Sequence, residues 1–445
     1  MKNKLFYLFG AAFLLCSISI FTACSEEKDE PVVEIPDDGG DNGDEKLLDL
    51  NGEYGNQTLK MTYNGEELTG KKVTIKTDES NQTASIELEG TEKDLGEMLA
   101  GLMNLKITTN SPIPGEKKII LNNIALSSND KGISYSFEGE DINPTRTMTC
   151  KGIIKKDELS IDIVNTLAKQ ELAGAWDLGV VKNNSDVDCR TASPLWINWD
   201  TNVKVNLGSV DVGLGFPIEL NYSPNEILTM IMCWIGPSIQ LDIETVIANQ
   251  LKSITAKPNG SMFATYAWDS DINNPDRWSS EMNHNIIRYY YGETPEQVYI
   301  EADMDFMLQA LGGLMKTRAG EQEDLQELLD HLADILKPIL EKGFPCTYLI
   351  EGDNLQLTLD GVFVREALKA AVKILNNPAI NPIIMSLIEN DETLAPYKEN
   401  IKLLLETMPD ALTYYDGETE EDFTGECTYV NVGLYLVKAA KEKVE

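Results

Sequence analysis

Two histidines, His284 and His331, are the only imidazoles in the chain. A Ser–His–Asp or Cys–His mechanism needs one of them, since imidazole is the common base near neutral pH. His331 stands beside Asp330 and Asp334 on the polar flank of a leucine-striped segment, the setting of a solvated helix face. His284 lies between Asn283 and Asn285, where a loop hydrogen bond is the expected role. No nucleophile motif accompanies either. No glycine-rich phosphate loop follows a strand, and Gly312-Gly313 sits inside a helical pattern. The 73 acids make chance carboxylate pairs common, so a glycosidase-like pair would be hidden among them. A cryptic carboxylate-based hydrolase therefore ranks third among the function classes, behind two non-enzymatic ones.

Metal and sugar chemistry have better-defined candidates. Asp269, Asp271 and Asn273 fall at the first, third and fifth positions of a calcium-loop spacing. Asn274 then replaces the usual glycine, and Glu281 falls one place past the bidentate acid. A polar turn is the expected reading and calcium the weaker one. The aromatic residues Trp196, Trp199, Trp268, Trp278 and Tyr289 to Tyr291 gather in one stretch. Trp196 and Trp199 are three apart, so on a strand they face opposite sides. Trp268 and Trp278 bracket the Asp/Asn turn. Indole faces beside Asp and Asn are suited to stacking on sugar rings and bonding their hydroxyls. Trp196, Trp199, Trp268, Trp278 and Tyr290 are thus candidate ligand residues, against the competing reading of a filled core.

The start of the chain carries an address. Lys2 and Lys4 precede an apolar run, Leu5 to Ile20, which ends in Phe21-Thr22-Ala23-Cys24. That architecture is a secretory signal, not a spanning helix, and Ala23-Cys24 resembles a bacterial lipobox. In that pattern residues 1–23 are removed and Cys24 is acylated, so that lipid holds the chain to a membrane. Residues 25–45 carry ten acids against Lys28, with Pro31, Pro36 and Gly39-Gly40 among them. Such a segment cannot bury apolar area and repels itself, so 24–46 is expected to be an extended, disordered tether. Cys-Ser-Glu-Glu at 24–27 looks like the export signal of Bacteroidota lipoproteins on the outer face of the outer membrane; the periplasmic face is the alternative.

Composition sets further bounds. A net charge of −36 repels nucleic-acid phosphate and anionic lipid headgroups, and no basic stripe with interleaved aromatics offsets it. No later apolar run reaches the ~18 residues a bilayer demands; Ile227 to Ile235 reads as a buried helix. Cys150, Cys189, Cys233, Cys346 and Cys427 show no Cys-x-x-Cys spacing, so neither a zinc knuckle nor a dithiol site is supported. They are expected as buried apolar residues, with Cys346–Cys427 the favoured pairing if one disulfide forms.

These residues need elements to hold them. Gln57–Tyr63, Lys71–Thr77 and Thr83–Glu89 alternate as half-buried strands do. Asn64-Gly65 supplies a tight hairpin turn. Asp94–Asn104 reads as a short amphipathic helix, and Lys117–Ile124, Gly132–Glu138, Arg146–Ile154 and Glu158–Val164 as four more strands. Seven or eight antiparallel strands make a barrel or half-open sandwich. Beyond them, strands are expected at Val203–Leu207 and Val210–Phe216, and hairpins at 251–267, 285–301 and 348–359. Helices are expected at Asn225–Trp234, Asp242–Leu251, Ala302–Lys316, Gln322–Lys342, Arg365–Asn376, Asn381–Glu389 and Tyr397–Thr407, and a closing strand at Tyr429–Val437. The echo of Leu50-Asn51-Gly52-Glu53-Tyr54 in Leu172-Ala173-Gly174-Ala175-Trp176 opens each half.

Gly-x-aromatic on a first strand, hairpins, and a closing Gly152-to-Ile161 stretch resemble calycin-like domains, lipocalin-related barrels of Bacteroidota lipoproteins. The second half resembles the C-terminal region of lipoproteins carrying that domain, through Leu251-Lys252-Ser253-Ile254, Arg288-Tyr289-Tyr290-Tyr291 and Thr347-Tyr348-Leu349-Ile350. The resemblance implies a fold and an address but no reaction. The expected class is α+β: a calycin-like antiparallel β-barrel at 47–165, then a mixed region at 166–445 of hairpins with inserted helices, or a second barrel-like sheet. The expected function is a lipid-anchored, non-enzymatic surface module binding a glycan, lipid or small apolar ligand. The alternative is a structural or accessory lipoprotein of an outer-membrane complex acting through protein contacts.

Overall fold

The computed structural model describes residues 49–94, 106–129, 132–179, 194–211, 217–230, 251–267, 273–279, 285–303, 337–378, 381–390, 395–413 and 426–440. The signal, Cys24, the tether, Trp268, Asp269, Asp271, His284 and His331 lie outside them. So do most of the helices expected at 94–104, 242–251, 302–316 and 322–342, although Asp94 and Ala302 end strands and residues 337–342 are helical.

Among the described residues the first half is built of strands, apart from the short 3-10 turn Asn56–Thr58. Its strands are β1 (Gly52–Gly55), β2 (Leu59–Tyr63), β3 (Glu66–Glu67), β4 (Lys71–Thr77), β5 (Thr83–Gly90), β6 (Glu92–Asp94), β7 (Lys106–Thr108), β8 (Lys118–Asn129), β9 (Ser134–Asn143), β10 (Arg146–Lys155) and β11 (Glu158–Leu167). Alternation sets their faces: Met148, Cys150, Gly152 and Ile154 of β10 and Leu159, Ile161 and Ile163 of β11 are buried, while the residues that alternate with them are exposed or half-buried. Asn64 and Gly65 both take positive φ, 55° and 86°, and turn β2 into β3. Asp78 organises the β4–β5 turn by accepting from the backbone of Gln82 and from Thr83 and Ser80, and these bonds hold its carboxyl down at about 2.

The sheet runs β1-β4-β5-β8-β9-β10-β11-β2-β3. Its ends are β1 and the β2–β3 hairpin, and β1 and β2 are consecutive in the chain, separated only by Asn56–Thr58. One bent segment therefore sews both edges of a curled sheet together. An up-and-down ring with an odd number of positions cannot be antiparallel throughout, and here the closing pair, β11 with β2, is parallel. The expected antiparallel N-terminal barrel is corrected accordingly: the first half is a curled sheet with a parallel seam.

The closed barrel lies in the second half. Its strands are β12 (Gly174–Leu178), β13 (Leu195–Thr201), β14 (Val205–Asp211), β15 (Pro217–Tyr222), β16 (Leu251–Ala256), β17 (Ser261–Ala267), β18 (Trp278–Ser279), β19 (Ile287–Tyr291), β20 (Gln297–Ala302), β21 (Phe344–Glu351), β22 (Asn354–Leu359) and β23 (Cys427–Lys438). The order β12-β16-β17-β19-β20-β21-β22-β23 returns to β12 through antiparallel pairs only, eight strands in all. β12 and β13 share one strand position along β23: Gly179 donates to Tyr435 O and Tyr435 N donates to Pro194 O. The β14–β15 hairpin falls later than the sequence pattern suggested.

Helices α1 (Pro224–Met230), α2 (Gly361–Leu375), α3 (Asn381–Glu389) and α4 (Lys398–Leu412) complete this half. Val364, Leu368 and Val372 of α2 and Leu412 of α4 enter the barrel core. The Asn225 side chain of α1 accepts from Trp199 N at 2.8 Å and donates to Trp199 O at 2.9 Å, which pairs the edge of β13 as a strand would. Cys346 and Cys427 are free, buried thiols in this core, so the Cys346–Cys427 disulfide is not formed.

Candidate functional site

The barrel interior is packed with side chains. Leu172, Trp176, Ile254, Ala256, Met262, Leu355, Leu357 and Leu436 surround a recess of about 10 Å³, the room of roughly one water molecule. The curled sheet is filled likewise, with Tyr63, Val73, Ile75, Ile86, Leu88 and Met148 wholly buried.

The aromatic candidates separate. Trp199 is buried in the barrel core and its Nε1–H donates to Ala411 O at 3.0 Å. Trp199→Ala is expected to lower stability by about 3–5 kcal/mol through the cavity it leaves, read by urea denaturation. Trp278 is half-buried, with the Arg277 guanidinium 4.5 Å from its ring centre. Tyr290 stacks on Tyr299 at 5.0 Å, donates to Lys342 O, and closes over Gly115, where an added Cβ would come within 2.5 Å of the ring. Trp196 lies on β13, Trp268 outside the described residues. Asn273 is exposed; its expected partners Asp269 and Asp271 lie outside the described residues. Of the candidates described, Trp199 is core and Tyr290 belongs to a contact between the halves.

The concentration of buried polar chemistry lies at that contact. Arg288 of β19 and Glu301 of β20 are direct cross-strand partners, and both are buried, at 4% and 8% exposure. Arg288 Nη2 donates to Glu301 Oε1 at 2.5 Å and Nη1 donates to Pro112 O of the curled sheet at 2.7 Å. Asn110 Nδ2 donates to the other Glu301 oxygen at 2.7 Å, and Lys71 Nζ donates to Asn110 O at 2.9 Å. Burial pushes the Glu301 carboxyl up, but Arg288, Lys71 and Asn110 together bring it below its ordinary value. A second set flanks the first. Tyr63 OH donates to Asn259 O at 2.7 Å and accepts from Asn165 Nδ2 at 3.1 Å. Asn285 Nδ2 donates to Glu66 O and Glu67 O, and Leu167 N to Pro258 O. Burial, against the nearby Arg288 charge, pushes the Tyr63 hydroxyl up to about 12.

Each of these bonds joins a residue of the curled sheet to one of the barrel or braces such a residue. The seam is a buried, charge-assisted clamp, not an open site with a reacting atom between its groups. Among the described residues, no three His, Cys, Asp or Glu side chains stand close enough to hold a metal ion. Sequence reasoning missed the clamp because Arg288 reads as the polar step in an alternating strand. The available signal was the register of the 285–301 hairpin, which sets Arg288 opposite Glu301 on a face otherwise expected to be buried.

Lys71 gives the clamp a pH signature. Burial lowers its ammonium to about 8 from an ordinary value near 10.5. The unfolded chain then holds more protons than the folded one between those values, so this group's contribution makes stability rise with pH across that window and stay flat below about 8. The stability difference between Lys71→Met and the parent chain should change in the parent's favour from pH 8 to 10.5, measured by urea denaturation at each pH. A pH-independent difference would contradict it.

No protein-family model matches the chain, and neither a curated protein nor a solved structure matches it.

Proposed function

We propose that this chain is a lipid-anchored outer-membrane lipoprotein, displayed on the cell exterior, that acts without catalysis by presenting its outer surfaces to a partner protein. What supports this reading is the packing among the described residues: both cores are occupied by the chain's own side chains, and the recess found there in the barrel takes about 10 Å³. A carrier of lipids or small apolar molecules needs a cavity of several hundred Å³. A rigid pair of sheets clamped by buried charge suits a spacer or docking platform instead. The Ala23-Cys24 pattern and the acidic stretch behind it support the anchor and the exterior address. The likeness to calycin-like lipoproteins is in keeping with an eight-stranded antiparallel ring, here in the second half of the chain.

Native mass spectrometry of protein extracted from its own membrane tests this. The expected result is the chain with its acyl anchor, and a larger assembly with a second protein. A stoichiometric small-molecule adduct beyond the anchor would contradict it.

One observation favours a second reading, glycan contact at the barrel surface. The half-exposed Trp278 ring is backed by Arg277, a platform of the kind sugars stack on. Trp278→Ala should then weaken glycan binding on an array by about 1–2 kcal/mol with little change in stability.

A further inference from the structure

The curled sheet has two poles, and the chain uses them differently. At one pole lie Tyr63, Glu66, Lys71, Asn110, Pro112, Asn165 and Leu167, the residues bonded to the barrel. At the other lie the β4–β5 turn, the β10–β11 turn and the first described residue, Asp49. The registers set this order: Thr77 opposes Ala84, Ser134 opposes Lys155, and Lys155 opposes Glu158. Asn51 Oδ1 accepts from Thr77 N at 2.8 Å, which fixes the incoming segment to this pole. Tyr54, whose hydroxyl is raised by burial and then by Asp157 and Asp49, places the β10–β11 turn beside that segment.

This pole also carries Ile133, 70% exposed and the most exposed large apolar residue of the described chain. It precedes Ser134, so it projects beside Lys155 and Lys156. Ile153, also exposed, stands one step up the same strand pair. We propose that this pole rests on the bilayer surface, with Ile133 at the lipid headgroups, and that the barrel with its helices is held on the far side of the sheet. The proposal rests on the anchoring reading above, since the tether leads from Cys24 to Asp49. The occupant is a lipid surface because the chain outside the described residues leads here from the acylated cysteine, and because an isolated apolar side chain flanked by lysines suits a headgroup layer. Asp49, Asp78, Glu79 and Asp157 share the pole, so the contact is held by the anchor and by Ile133, not by net charge, and it should persist at high salt.

The ten-residue β10 alone separates the poles by ~30 Å, and Glu399 is an exposed residue of α4 in the other half of the chain. The test uses full-length lipidated protein in phosphatidylethanolamine–phosphatidylglycerol vesicles that contain a headgroup nitroxide lipid. A fluorophore is placed through Glu79→Cys in one sample, which keeps Ile133, and Glu399→Cys in another, with labelled parent protein subtracted as background. The expected result is several-fold quenching at position 79 and none at 399, unchanged by added salt. Equal quenching at both sites, or quenching at 399 alone, overturns the proposal. Protein that does not float with the vesicles overturns the anchoring reading, and this proposal with it.

Discussion

Glu301→Ala should lower the stability of the chain by about 3–5 kcal/mol, the loss expected when one member of a buried ion pair is removed. The substitution leaves Arg288 buried at 4% exposure without its counter-ion. It also leaves Lys71 as a second positive charge in the same pocket and removes the acceptor of Asn110 Nδ2. Glu301→Gln, which keeps shape and one acceptor, should cost less. Replacing both partners, as in Arg288→Met with Glu301→Leu, should cost less than Glu301→Ala alone, because no charge is then stranded. Urea denaturation of the four proteins measures the coupling. A loss below about 1 kcal/mol for Glu301→Ala would mean the seam is open to water and the clamp does not hold the halves together.

Cys24→Ala should move the protein from the membrane fraction to the soluble one. The substitution removes the thiol that the lipobox pattern acylates, and no helix among the described residues is long and apolar enough to cross a membrane. Fractionation, with mass spectrometry of the N-terminal peptide, reads the result. Full membrane retention of the variant would contradict lipid anchoring through Cys24.

Much of the local structure was legible because alternation is a local signal. β4 and α3 match the expected spans residue for residue, and β16 and β17 fill the hairpin expected at 251–267, since each has a clean period and a turn at its ends. The ring closures were not legible. Which half is a closed barrel depends on pairings between distant segments, such as β12 with β23 and β2 with β11, and a strand's period says nothing about its neighbour. The barrel-like sheet expected as one form of the second half is there as a closed antiparallel ring, while the sheet before residue 165 is curled with one parallel pair. Of the candidate ligand residues, Trp199 could not be told from a surface tryptophan by type alone. Its burial depends on Ala411 of α4, more than two hundred residues away. The clamp escaped for the same reason: Lys71 and Asn110 meet Glu301 only once the two sheets dock.

The central claim is that the two sheets, each with its own filled core, behave as one body because a buried polar seam joins them. Differential scanning calorimetry of the soluble Cys24→Ala chain tests it most directly. The account predicts one endotherm whose calorimetric and van't Hoff enthalpies agree, at a higher temperature than a 47–165 fragment melts alone. Two separated endotherms, with the first at the temperature of the isolated fragment, would contradict it.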